Sequence, residues 1–150
     1  MRLRLWQKQA PAVVTVESAV TRTLYGDLRL RDFDAPRIRV SVDDHEVHLT
    51  GGVSTREARE LAERLAAGVR GVTRVRNELR TDADLTKALR TALAGNPGTA
   101  DLARDSIVFQ GVADLQGRAT YDGQLAAKKI ASAIDGVRDV ADHMAWPSAA

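Results

Sequence analysis

GVRGVTRVRNEL (Gly68–Leu79) and AIDGVRDVADHM (Ala133–Met144) decide how this chain is built. Gly71, Val72 and Val75 of the first stretch return as Gly136, Val137 and Val140, each 65 positions later. Further upstream, Leu49 and Gly51 match Leu115 and Gly117 at an offset of 66, so one residue is lost between the hairpin and the last strand. An offset kept over this distance marks an internal repeat of about 65 residues.

Each unit reads as helix, strand, strand, helix, strand. In the first, Val16, Ala19, Val20 and Leu24 recur at helical spacing behind Thr15, which predicts a helix over about 16–28. Ile38, Val40 and Val42 alternate with Arg37, Arg39 and Ser41 as a half-buried strand. A turn over Asp43, Asp44, His45 and Glu46 leads to a second strand, with Val47 and Leu49 inward, that ends or bends at Gly51-Gly52. Ser54 and Glu57 have the spacing of a capping box. Ala58, Leu61, Ala62 and Leu65 follow as one apolar stripe, and Gly68 stops the helix. Val75 and Leu79 share a face of the last strand.

In the second unit Thr81 and Asp84 form the capping box, and Leu85, Ala88, Leu89 and Leu93 form the stripe. AGNPG (Ala94–Gly98) is a loop, and Ile107 to Leu115 holds the hairpin. Thr120 caps a helix with Ala127, Ile130, Ala131 and Ile134 inward, Gly136 ends it, and Val140 and Met144 line the last strand. The first strand of this unit is irregular. Arg104, Ser106 and Val108 occupy the places of Ile38, Val40 and Val42, while Ile107 and Phe109 point the other way. Either the strand shifts by one residue or its outer face is buried too.

Of the 150 residues, 44% are hydrophobic and 28% charged, as in an ordinary folded protein. Only six are aromatic, so the core must be aliphatic. The absence of cysteine excludes disulfides, a thiol nucleophile and a cysteine-ligated zinc site. Net charge is +2, with +3 over residues 1–83 and −1 over 84–150, too little to imply nucleic acid as a partner. No apolar run resembles a secretory signal or a membrane span, which places the chain as written in the cytoplasm, or in the envelope if a signal lies upstream.

The quoted stretches, together with VSVDDHEVHLTG (Val40–Gly51) and STREARELA (Ser54–Ala62), resemble the BON (bacterial OsmY and nodulation) domain. The second unit carries the resemblance in GVADLQG (Gly111–Gly117) and GVRDV (Gly136–Val140). The fold expected is α+β, two tandem αββαβ modules, each a three-stranded mixed sheet with two helices on one face. The units span residues 15–81 and 82–145, between tails at 1–14 and 146–150. His45 stands where the family has a turn glycine, which predicts a different turn type. Members of this kind are commonly envelope or stress-response proteins, for which phospholipid binding is the role implied.

Helices on one face leave the other face of each sheet open. In the first unit that face is expected to carry Arg37, Arg39, His48, Arg74, Arg76 and Arg80, among Glu46 and Glu78. In the second it carries Asp114, Gln116, Asp139 and His143. Three readings stand: solvated faces, faces that pair within or between chains, and an arginine face that takes phosphate headgroups in bidentate fashion. Arg2, Arg4 and Lys8 around Trp6 suit a membrane interface, although their period of two also suits a strand or a loose tail. Trp146 reads as a cap on the core. HEVH (His45–His48) is one residue short of a zinc signature and puts its histidines on opposite faces of a strand, so no metal is expected.

No nucleophile elbow, phosphate-binding loop or dinucleotide fingerprint is present, and no cofactor is implied. The reading is a non-enzymatic binding module that associates peripherally with anionic phospholipid at the cell envelope, in a stress-response role. The alternative is a protein-interaction or homo-oligomeric scaffold that works through its open sheet faces.

Overall fold

A computed structural model describes residues 15–147. The basic stretch with Arg2, Arg4, Trp6 and Lys8 lies outside them. Four threonines open the helices, each accepting the backbone N–H three residues on. Thr15 caps α1 (Val16–Gly26), Thr55 caps α2 (Arg56–Ala67), Thr81 caps α3 (Asp82–Ala94) and Thr120 caps α4 (Tyr121–Ser132). At Thr81 the box is complete, because Asp84 also accepts the Thr81 N–H at 3.1 Å.

The box expected at Ser54 and Glu57 does not form. The helix starts one residue later, at Thr55, because Ser54 is drawn away by the buried carboxylate of Asp34. Asp34 accepts both the N–H and the hydroxyl of Ser54, at 2.6 and 2.8 Å. Helix α1 also stops short, at Gly26, because Asp27 turns the chain: its carboxylate takes the Arg29 N–H and its carbonyl those of Leu30 and Arg31. Helix α4 ends at Ser132, so Gly136 lies in the loop beyond it, at a φ of 105°.

The first sheet holds β1 (Ile38–Asp43), β2 (Glu46–Val53) and β3 (Arg74–Asn77), in that order. β1 runs antiparallel to β2, and β2 parallel to β3 through the α2 crossover. The last strand, expected to run on through Leu79, breaks after Asn77 and resumes as a short β4 (Arg80–Thr81) that pairs with Gly52 and Val53. Strand β2 continues through Gly51-Gly52 and does not end there. Gly51 takes a φ of 107° with the Arg37 carbonyl against it, which a side chain would not allow. The second sheet repeats the order with β5 (Ile107–Phe109), β6 (Val112–Arg118) and β7 (Asp139–Ala145). The protein is thus α+β, two tandem αββαβ modules.

Two expectations about the hairpins fail. Asp44 and His45 have φ of 47° and 64°, as Gln110 and Gly111 have 49° and 79°. Both units make the same two-residue turn with both φ positive, so His45 adopts the glycine's conformation instead of changing the turn. Its ring Nδ1 lies 3.0 Å from the Gly71 carbonyl, which ties the tight turn down. The irregular strand neither shifts nor buries its outer face. Val108 pairs with Ala113 as Val42 pairs with Val47, the strand is cut to three residues, and Ile107 and Phe109 stand exposed.

Each module has its own core. Val20, Leu24, Val47, Leu49, Val53 and Leu61 fill the first, and Leu85, Leu89, Leu93, Val108 and Leu115 the second. Full burial of one such side chain contributes about 1.5–3 kcal/mol. The core is aliphatic as composition requires. Every aromatic residue described, Tyr25, Phe33, Phe109, Tyr121 and Trp146, is exposed, so Trp146 does not cap the core. No helix among the described residues is long and apolar enough to cross a membrane.

Candidate functional site

The pleat puts Arg39, Ser41 and Asp43 of β1, Glu46, His48 and Thr50 of β2, and Arg74 and Arg76 of β3 on the open face of the first sheet. Glu46 sits at its centre. It lies 3.0 Å from His48 Nε2, 3.8 Å from Arg74 and 3.9 Å from Arg76. Arg76 is also 3.8 Å from Glu78. Of the six residues expected here, His48, Arg74 and Arg76 are together. Arg39 shares that face but turns its guanidinium to the junction between the modules, where Arg37 and Arg80 also bond.

Arg37 is the main departure. Its side chain is 5% exposed and reaches across to Asp82 of α3, Nη2 to Oδ1 at 2.8 Å. The Asp82 carboxylate also accepts the N–H groups of Gln110 and Gly111, at 2.7 and 3.1 Å. Arg39 donates to Asp135 at 3.1 Å, and Arg80 to the Asp135 carbonyl at 3.2 Å. Three arginines of the first module therefore hold the second. Repeat alignment carried the signal for the central pair. Ala103 stands in the second unit where Arg37 stands in the first, and Val16, next to the Thr15 cap, stands where Asp82 follows Thr81. A pair absent from both equivalent places serves the junction, not the fold of either unit. Beside it lies a cleft of about 720 Å³, lined by Phe33, Arg37, Arg39, Ile134 and Arg138 among others.

The open face of the second sheet differs in kind. Ile107, Phe109 and Val112 occupy the places of Ser41, Asp43 and Glu46. Phe109 is 66% exposed and Ile107 39%. Beside them His143 Nδ1 meets Asp114 Oδ1 at 2.6 Å, and Gln116 donates to the other oxygen at 2.8 Å. The bond to Asp114, then its charge, raises the His143 pKa. Burial pushes the Asp114 carboxyl up, but the hydrogen bonds from His143 and Gln116 prevail and hold it below its ordinary value. Asp139 is on the same face, at the start of edge strand β7, and its carboxylate takes the Val140 N–H. No cluster of three or more metal-ligating side chains exists among the described residues.

A family model described as the BON domain matches residues 13–82 and again 81–147. Among solved structures, one similar chain is from CdsD, a structural protein of the type III secretion system of Chlamydia trachomatis. It is 15% identical at a TM-score of 0.53, over 78% of this chain and 56% of that one. A second is the C-terminal domain of CdsD, 18% identical at a TM-score of 0.59, over 96% of this chain and 77% of that one. This chain thus spans little more than half of the first, and the likeness at these identities is one of fold. No curated protein matches.

Proposed function

The chain belongs to the BON domain family, and on that premise we infer that it is a non-enzymatic binding module that associates peripherally with anionic phospholipid through its first repeat. One observation carries this reading. Arg74 and Arg76 stand two residues apart on an edge strand, 71% and 53% exposed, with their nearest carboxylates at 3.8–3.9 Å. A charge-assisted hydrogen bond closes to about 2.7–2.9 Å, so these ion pairs are loose and leave the guanidinium forks able to take phosphate. The proposed place of action is a bilayer surface reached from the cytoplasm, in a stress response of the cell envelope. The test is co-sedimentation with phosphatidylglycerol and with phosphatidylcholine vesicles at low and physiological salt. Binding to the anionic vesicles alone, weakened by salt and lost in Arg74→Glu/Arg76→Glu, is expected. Equal binding by that variant sinks the reading.

The exposed Ile107 and Phe109 favour a second reading, a scaffold that pairs through the open face of the second repeat. Here the test is sedimentation velocity without lipid. The scaffold reading expects a dimer or larger species that Phe109→Asp, which installs the first unit's residue, returns to monomer. A monomer at all concentrations removes self-association.

A further inference from the structure

We propose that the cleft between the two repeats binds a small amphipathic anion, a carboxylate or phosphate carried on a short apolar body. The inference is independent of the open sheet faces and rests on the unspent donors of Arg37. Its guanidinium lies between Gly52 and Gly111, so close to both that a Cβ on either would displace it. Asp82 takes only Nη2, and Nε and Nη1 are buried with no hydrogen-bond partner among the described residues. Buried donors left unpaired cost about 1–3 kcal/mol each, and more on a charged group. Asp82 cannot answer them, because its oxygens are already shared among Arg37, Gln110 and Gly111.

A second cation stands in the same cleft. Arg138 spends its Nε on the Gln110 carbonyl at 2.7 Å, which leaves both of its terminal nitrogens for a ligand. Two carboxylates also line the cleft, each with a cation beside it, Asp135 with Arg39 at 3.1 Å and Asp32 with Arg31 at 3.4 Å. So the remaining demand is for an acceptor, and an oxyanion supplies two. The lining also has an apolar part, with exposed Phe33 from the first repeat and half-buried Ile134 and Val137 from the second, beside the polar Gln110 and Ser132. At about 720 Å³ the cleft is in the size range of small-molecule sites. Because its walls come from both repeats, a ligand there also strengthens the junction.

The experiment is amide NMR of the whole chain, followed at Gly51, Gly52, Gly136 and Val137. The probes are octanoate, octanol of the same body without the charge, inorganic phosphate without the body, and phosphatidylglycerol vesicles. Saturable octanoate shifts at these amides are expected, several-fold weaker with phosphate and absent with octanol. Arg138→Gln, an exposed position outside both cores, is expected to weaken octanoate about tenfold. Shifts with vesicles but not octanoate also support the site and assign its oxyanion to a lipid headgroup. No saturable shift with any anion overturns the proposal. So do shifts centred on Arg74 and Arg76, an equal response to octanol, or an unaltered affinity in Arg138→Gln.

Discussion

Replacing Asp82 with asparagine tests whether one buried ion pair holds the two repeats as a single body. The substitution keeps the shape of the side chain and removes its charge. The Arg37 guanidinium then remains at 5% exposure with no counter-ion. The amide NH₂ must also face either Arg37 and the Gly111 N–H, which share one oxygen, or the Gln110 N–H on the other, all of them donors. Breaking a buried pair in this way costs about 3–5 kcal/mol. Asp82 keeps 12% of its side chain in solvent, so the lower end, about 3 kcal/mol, applies. For a chain of this size that lowers Tm by about 6–12 °C. Urea unfolding followed by circular dichroism measures it. The second variant is Arg37→Met/Asp82→Asn, which removes the stranded guanidinium and is expected to be more stable than Asp82→Asn alone. The pair lies between two separate cores, so the single variant is also expected to broaden one transition towards two. A cost below about 1 kcal/mol, or a double variant no better than the single, refutes the reasoning.

Gly51→Ala is expected to destabilise by about 2 kcal/mol or more, since its φ is 107° and a Cβ runs into the Arg37 carbonyl; Gly26→Ala, with open space around it, is expected to stabilise slightly, and the same unfolding curves read both. His143 is expected to titrate above its ordinary 6.5 and to fall back towards it in Asp114→Asn, as followed by ring-proton NMR. Because the folded value is the raised one, its stabilising contribution is complete below about 6.5 and fades as pH rises through the folded pKa.

The tandem plan was legible because periodicity and caps are local. Thr15, Thr81 and Thr120 each precede an apolar stripe, and the stripes that follow are the ones that fill the cores. Ser54 misled because its competitor, Asp34, lies 20 residues away in sequence, and a capping box is judged from four neighbouring residues. His45 misled in the opposite sense. Glycine is the easiest residue at a positive φ but not the only one, and a ring bond to the Gly71 carbonyl across 26 residues makes histidine acceptable. The arginine face was half legible. Strand alternation placed His48, Arg74 and Arg76 together, as they are. Arg37 follows the same alternation on paper, yet it sits in a 3-10 turn before β1, where the pleat no longer governs direction. Its partner at Asp82 is 45 residues away, beyond helix or strand periodicity, and only the comparison of the two repeats marks the pair.

Thr81 belongs to both halves. It is the last residue of β4, opposite Val53 in the first sheet, and it is the cap of α3, the first helix of the second module. No linker residue separates the two repeats, because they share this one. Cutting on one side of Thr81 takes a pairing residue from the first sheet, and cutting on the other takes the cap from the second helix. Turning one repeat against the other would break a strand pair or a helix end. Whatever grips one repeat, a bilayer or a neighbouring molecule, therefore sets the direction in which the other repeat faces. The chain can act as a rigid bracket with two dissimilar ends, able to present its second surface at a fixed angle to whatever holds the first.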